Sequence, residues 1–305
     1  MLALLACHSA PQPTGDGGVA LGLFASDPLY DYGTLLDEID ALGAPGTLVV
    51  VPWSVADVTD ATLVPRVPRP QVRRALRRAR STGAQVAVMP IVQLASPDGS
   101  WRGELAPDDL AHFWLNYDTL LLQLARDAEA VGATRLVVGS ELASLEDDPS
   151  WRPRVAAVRE VFSGTLTYSA NWDRYAEVPF WDALDEVGVS AWWSRADRAA
   201  GLTAAERFAA SRQRPLVVTE VGFAPLASAA TRPWDHASPS PLDLDLQAVL
   251  LEETLADLAR RELPFYVWNW FGRGGPDEIS YSPRGRPAEE VVRCAFTPTD
   301  RGCER

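Results

Sequence analysis

Two stretches decide the fold: Leu136-Val137-Val138-Gly139-Ser140-Glu141 and Leu216-Val217-Val218-Thr219-Glu220. Each is a run of β-formers that ends in a carboxylate and gives way to loop-like sequence. Unbroken apolar runs of this length suit strands buried on both faces, as in a parallel sheet covered by helices. An ionised carboxylate closing such a strand must be paired or solvated, because burying the bare charge is costly. The two glutamates are 79 residues apart (220 − 141). They meet only if both strands end at the same rim.

Working outward, a strand-then-helix rhythm runs from residue 19. Strands are predicted at Val19–Phe24, Thr47–Val51, Gln85–Met89, the run to Glu141, Thr165–Ser169, Val187–Ala191, the run to Glu220, and Phe265–Val267. Helices are predicted at Thr34–Leu42, Pro70–Arg80, Asp108–Val131, Trp151–Phe162, Pro179–Glu186, Thr203–Arg212, Leu242–Arg261 and Pro287–Arg293. Proline in the first turn opens the helix at Pro70–Arg80, and Gly43, Gly83 and Gly132 follow the ends of three. Eight such repeats in roughly 250–300 residues is the arithmetic of a single-domain α/β (β/α)8 TIM barrel. Periodicity alone leaves a doubly wound open sheet standing, although such sheets rarely need so many repeats. The expected division is a signal and tether over 1–18, the barrel over 19–293, and a tail over 294–305.

Of 305 residues, 47% are hydrophobic, enough for a sizeable core. The net charge of −13 argues against nucleic acid or an anionic membrane surface, which need clustered cations. It fits a soluble protein acting on a neutral or cationic ligand, and the chain is expected to act as a monomer. The one basic run, Arg73, Arg74, Arg77, Arg78 and Arg80, interleaves with Val72, Ala75, Leu76 and Ala79 as a solvated amphipathic face. Cys294 and Cys303 could close a small loop in an oxidising compartment, or stand as two thiols near a frayed end. Leu4-Leu5-Ala6-Cys7 looks like a bacterial lipobox, and the Ser, Pro and Gly after it suit a tether. No Lys or Arg precedes its short apolar stretch, which departs from the usual signal. The expected location is extracytoplasmic, with membrane contact only through a lipid anchor at Cys7.

Strand ends carry the chemistry in such a barrel. Trp53, Trp101, Trp172, Trp192, Trp193, Trp234, Trp268 and Trp270 all fall at predicted strand ends or in the following loops. Flat apolar rings with polar edges stack on sugar faces, and the same rings also serve as core plugs. Asn171 has the same two readings, as a partner for a sugar hydroxyl or as a turn tie. Two facing rim carboxylates supply glycoside hydrolysis, one as proton donor and one as ionised nucleophile or base. Taken singly, each could be half of a structural ion pair. Other chemistries lack their parts. Only His8, His112 and His236 are present, with no H-E-x-x-H, no paired Cys ligands, no G-x-S-x-G elbow and no phosphate loop. No cofactor or metal is expected.

At this point the sequence resembles clan A of the glycoside hydrolases, and within it family 113, the single-domain β-mannanase type. The resemblance spans roughly 19–293. It is carried by Trp101-Arg102-Gly103-Glu104; Phe113-Trp114 with Tyr117; Gly139-Ser140-Glu141; Tyr168-Ser169-Ala170-Asn171-Trp172; and Thr219-Glu220-Val221-Gly222-Phe223 with Pro233-Trp234. Trp268-Asn269-Trp270 and Tyr281-Ser282-Pro283-Arg284-Gly285-Arg286-Pro287-Ala288 complete it. The resemblance implies a retaining mechanism with Glu141 as acid/base and Glu220 as nucleophile. It implies a carbohydrate substrate, β-mannan by default, held by Trp53, Trp101, Arg102, Asn171, Trp172, Trp192, Trp234, Trp268 and Trp270. Three positions depart from the usual pattern. Ser140 stands where clan A places Asn, Trp192 where a tyrosine bonds the nucleophile, and Met89-Pro90-Ile91-Val92-Gln93 where the family reads Lys-Pro-His-Val-Asp. These leave the glutamates intact and alter the subsite around them. A catalytically inactive carbohydrate-binding barrel of the envelope is the competing function, and a structural envelope protein explains neither glutamate. Because a nucleophile must be ionised, Glu220 is expected among cationic or hydrogen-bond-donating neighbours, and Glu141 in a drier or more anionic setting.

Overall fold

A computed structural model describes residues 17–95, 99–299 and 303. The lipobox, Cys7 and nearly all of the tether lie outside the described residues. Eight parallel strands form the barrel: β1 (Gly18–Gly22), β2 (Gly46–Val55), β3 (Gln85–Leu94), β4 (Arg135–Ser140), β5 (Thr165–Asn171), β6 (Val187–Ser190), β7 (Leu216–Val221) and β8 (Phe265–Trp270). Each pairs with the next, and β1 pairs with both β2 and β8, so the sheet closes on itself. The open doubly wound sheet is thereby excluded. A two-residue strand, Val64–Pro65, adds antiparallel to Trp53 and Ser54 of β2.

Among the described residues, seven helices surround the barrel: α1 (Gly33–Ala41), α2 (Arg69–Ser81), α3 (Leu110–Glu129), α4 (Trp151–Arg159), α5 (Arg198–Ser211), α6 (Leu244–Arg260) and α7 (Pro287–Phe296). Their starts have local causes. Asp109 and Asp243 accept the backbone N–H of His112 and Leu246, and proline sits in the first turn of α2 and α7. Gly132, at φ 66°, turns the chain out of α3 where a side chain would be strained. The helix expected over Pro179–Glu186 is only a short 3₁₀ turn, Trp181–Ala183. Phe180, Trp181 and Leu184 are buried, and that single turn is enough to plug them between β5 and β6.

The core has two layers. The larger lies between barrel and helices and holds the outward-facing strand residues, among them Val49, Val88, Val138 and Val218. The smaller fills the barrel with Ala20, Leu48, Val50, Ala87, Met89, Ile91, Val137, Val217 and Tyr266. At the strand starts, Arg135 is held by both oxygens of Glu186 (2.7 and 2.8 Å) and by the Tyr266 hydroxyl (2.7 Å). That buried, fully bonded cation closes the N-terminal end of the barrel. The opposite end is left for the glutamates.

Candidate active site

Glu141 stands one residue past β4, and Glu220 lies inside β7, so both carboxyls sit at the C-terminal rim. Two serines cross between them. Ser140, which precedes Glu141, donates to Glu220 Oε1 at 3.2 Å. Ser190, the register partner of Glu220, donates to Glu141 Oε1. Each glutamate is thus anchored from the other's strand neighbourhood, which holds the pair over one spot. The Glu141 backbone has φ 51°, uncommon outside glycine, and its N–H donates to Ser169 O at 2.8 Å.

Arg102 supplies the cation. It opens a 3₁₀ turn, Arg102–Glu104, in the loop between β3 and α3. Its Nη2 donates to Glu141 Oε2 at 2.5 Å and its Nε to the Ser140 carbonyl at 3.2 Å. Glu141 is 6% exposed and Glu220 only 1%. Burial first, then the Glu141 charge, push Glu220 up to about 8, against the pull of Arg102, Ser140 and the Trp192 indole. At neutral pH the unliganded pair therefore holds one shared proton. This reverses the expected environments. Glu220 is the drier group because β7 runs past it to Val221, and Arg102 reaches Glu141 because of a loop path that residue types do not reveal.

The structure sorts the other predicted residues. Trp192 is buried in the barrel mouth, where it bonds Glu220 and packs 5.1 Å from Tyr281. An indole N–H thus replaces the phenol usual at that position. Trp268 is in the same inner cluster, beside Phe24, and its peptide bond to Asn269 is cis. Trp172 stacks on Trp234 (5.5 Å, 22°), and Trp234 is 46% exposed, giving an open aromatic face at the edge of the site. Trp101 folds its ring over Gly103, where any Cβ would come within 2.2 Å of it. Asn171 accepts the N–H of Trp172 at 3.1 Å and so ties its own turn. Two tryptophans are not brought to the glutamates. Trp53 packs edge-on against Tyr117 (5.3 Å) in the outer layer, and Trp270 donates to Glu38 Oε2 (2.8 Å) behind the sheet. Both are core plugs: Trp53 by the outward parity of β2, and Trp270 because the register shift of β8 against β1 turns it outward.

Sequence reasoning missed three neighbours of the pair. Ser190 closes β6 as an ordinary small residue, and Ser140 reads in the sequence only as a departure from the clan pattern. Tyr281 belongs to a stretch that carried the resemblance without a role. Burial and then the Glu220 charge push the Tyr281 phenol up, and its ring packs against Trp192, which bonds Glu220. Its hydroxyl donates to the Trp234 carbonyl at 2.8 Å, linking the aromatic face to the ring beside the glutamates.

A closed parallel barrel with two glutamates coupled at its C-terminal rim and aromatic rings beside them is the arrangement of a glycoside hydrolase. The model of Glycoside Hydrolase Family 113 matches residues 59–278, and the chain belongs to that family. Among solved structures it is similar to a family 113 β-1,4-mannanase complex, with TM-score 0.85 and 19% identity over 94% of this chain and 99% of that one. It is similar to a family 113 β-mannanase from Alicyclobacillus acidocaldarius in complex with ManMIm, with TM-score 0.84 and 22% identity over 93% and 98% of the two chains. A Pseudomonas stutzeri endoglucanase shares the fold at TM-score 0.60 and 14% identity, over 93% of this chain and 95% of that one. Among curated proteins, none matches the sequence.

Proposed function

We propose that the protein is a retaining hydrolase of neutral β-linked glycans, with β-mannan preferred over β-glucan and β-xylan. The observation that carries this reading is the crossed serine pair, which fixes two buried carboxyls at one rim of a family 113 barrel. The relatives named as β-mannanases point to the sugar. In the first step the Glu220 carboxylate attacks the anomeric carbon, the glycosidic C–O bond breaks, and the Glu141 proton passes to the departing oxygen. In the second, Glu141 takes a proton from water, the hydroxide oxygen bonds to the anomeric carbon, and the Glu220 ester bond is released.

The unliganded charges favour a second reading, in which Glu220 is the acid and Glu141 the nucleophile, since Arg102 sits on Glu141. The pair titrates as a unit, so the first reading needs the bound sugar to draw Arg102 off Glu141 and leave the shared proton there. Family resemblance supports the first assignment. Reducing-sugar release from β-mannan, β-glucan and β-xylan by wild type and Glu220→Ala tests the function. Turnover on mannan that disappears in the variant is expected, whereas binding without turnover by wild type returns the protein to a carbohydrate-binding role.

We further propose an extracytoplasmic location, with the chain held at the membrane through acylated Cys7 and acting as a monomer. The Cys294–Cys303 disulfide, with Cα atoms 5.3 Å apart, supports an oxidising compartment.

A further inference from the structure

The end of β4 is irregular, and the irregularity is held from behind. Its register with β5 shifts between Val137 and Ser140, and Glu141 then takes a left-handed backbone. Such a bend frees backbone groups that must find other partners. Two buried tyrosines supply them. The Tyr117 hydroxyl donates to the Val138 carbonyl at 2.8 Å, and the Tyr168 oxygen accepts the Leu142 N–H at 2.7 Å. Between them, a Cβ on Gly139 would lie 2.8 Å from the Tyr117 oxygen and 3.1 Å from the Tyr168 ring. Only glycine lets both rings close on the strand.

Tyr168 is itself aimed. Its hydroxyl donates to Glu146 Oε1 at 2.9 Å, so its oxygen is left to accept from Leu142. Glu146 is 2% exposed, and its other oxygen has no hydrogen-bond partner. The Arg174 Nε stops 3.9 Å from it, close enough for an ion pair but not a hydrogen bond, and is itself buried with no hydrogen-bond partner. Burial pushes Glu146 up to about 7. A half-satisfied buried carboxyl is a cost that packing alone does not explain. We propose that Glu146 and Tyr168 form a positioning relay that fixes the Leu142 peptide, and through it the left-handed backbone that aims the Glu141 carboxyl at the glycosidic oxygen. Neither residue touches the sugar. The relay acts on the placement of one catalytic group.

This inference rests on Glu141 as acid/base, and its test separates the two. Tyr168→Phe keeps the ring and removes the oxygen; Glu146→Leu removes the acceptor; Glu146→Gln keeps an acceptor for Tyr168. Each is assayed beside Glu141→Ala on β-mannan and on an aryl β-mannoside with an activated leaving group, with folding checked by circular dichroism. Tyr168→Phe is expected to lower kcat on mannan 10- to 100-fold at a KM within about twofold of wild type, because small misplacements of a reacting group are costly. It should lose far less on the aryl substrate, as a weaker copy of Glu141→Ala. Glu146→Leu should follow it, and Glu146→Gln should recover most of the loss. Equal losses on both substrates in folded Tyr168→Phe, with Glu141→Ala still selective, overturn the relay. An unselective Glu141→Ala refutes the role assigned to Glu141 instead, and the relay then stands or falls on whether Tyr168→Phe lowers kcat at constant KM.

Discussion

Replacing Arg102 with methionine removes the one cation that, among the described residues, touches the carboxyl pair, while keeping most of its apolar volume. The guanidinium is 2.5 Å from Glu141 and nearly buried, with side-chain exposures of 18% and 7% for the two partners. Breaking a buried pair costs about 3–5 kcal/mol when the surviving charge must stay ionised. Here a proton can replace the lost cation, so the cost depends on pH. Glu220 already stands raised from 4.5 to about 8, and Arg102 is one of the groups that restrain it. Without Arg102 it rises further. A buried acid raised in the folded state contributes stability that is complete below its unfolded value and is lost as pH climbs towards the folded one. At pH 5 the pair takes up protons at a cost of about 1 kcal/mol, so Arg102→Met should lose little. At pH 8 the loss should reach about 3 kcal/mol or more. Urea unfolding of wild type and variant at the two pH values measures the difference. A loss that is the same at both pH values would show that Arg102 contributes packing rather than charge compensation.

Three further outcomes follow from the sorting of the tryptophans and from the N-terminal sequence. Trp234→Ala removes a half-exposed ring stacked on Trp172 and should raise KM for long β-mannans several-fold, with kcat and stability nearly unchanged, as steady-state kinetics and thermal melts will show. Trp270→Phe strips the indole N–H from Glu38, which Arg284 also holds, and should cost about 1 kcal/mol of stability without altering KM. Cys7→Ser should move the protein from the membrane fraction to the soluble extracytoplasmic fraction, because firm anchoring needs acyl chains.

The barrel was legible because strands covered on both faces are written as unbroken apolar runs, and the two glutamates interrupt such runs. That same uniformity hid which way each side chain points. Leu48 and Val50 face into the barrel and Trp53 faces out, yet nothing polar alternates with them to show the parity. Between Trp268 and Trp270 a register shift against β1 breaks the alternation, so one ring faces in and the other out. Strand ends were hidden by proline. Pro52 and Pro90 look like stops, but β2 and β3 run on to Val55 and Leu94. β1 pairs with β2 only to Val50, and β4 with β3 only to Val88, so both prolines lie beyond those ladders, where no N–H is needed. The glutamate pair was legible as two residues. Its electrostatics were not, since Arg102 arrives by a loop and the donors Ser190 and Trp192 are a common hydroxyl and an unusual indole.

The most direct test of the two glutamates' roles is the configuration of the product formed when azide rescues each alanine variant on an activated aryl β-mannoside. If Glu220 is the nucleophile, azide enters the space left in Glu220→Ala from the face opposite the leaving group and gives the α-mannosyl azide. Azide should intercept the glycosyl-enzyme in Glu141→Ala and give the β-product. A β-azide from Glu220→Ala and an α-azide from Glu141→Ala would contradict the assignment and give the nucleophile's role to the glutamate that Arg102 holds.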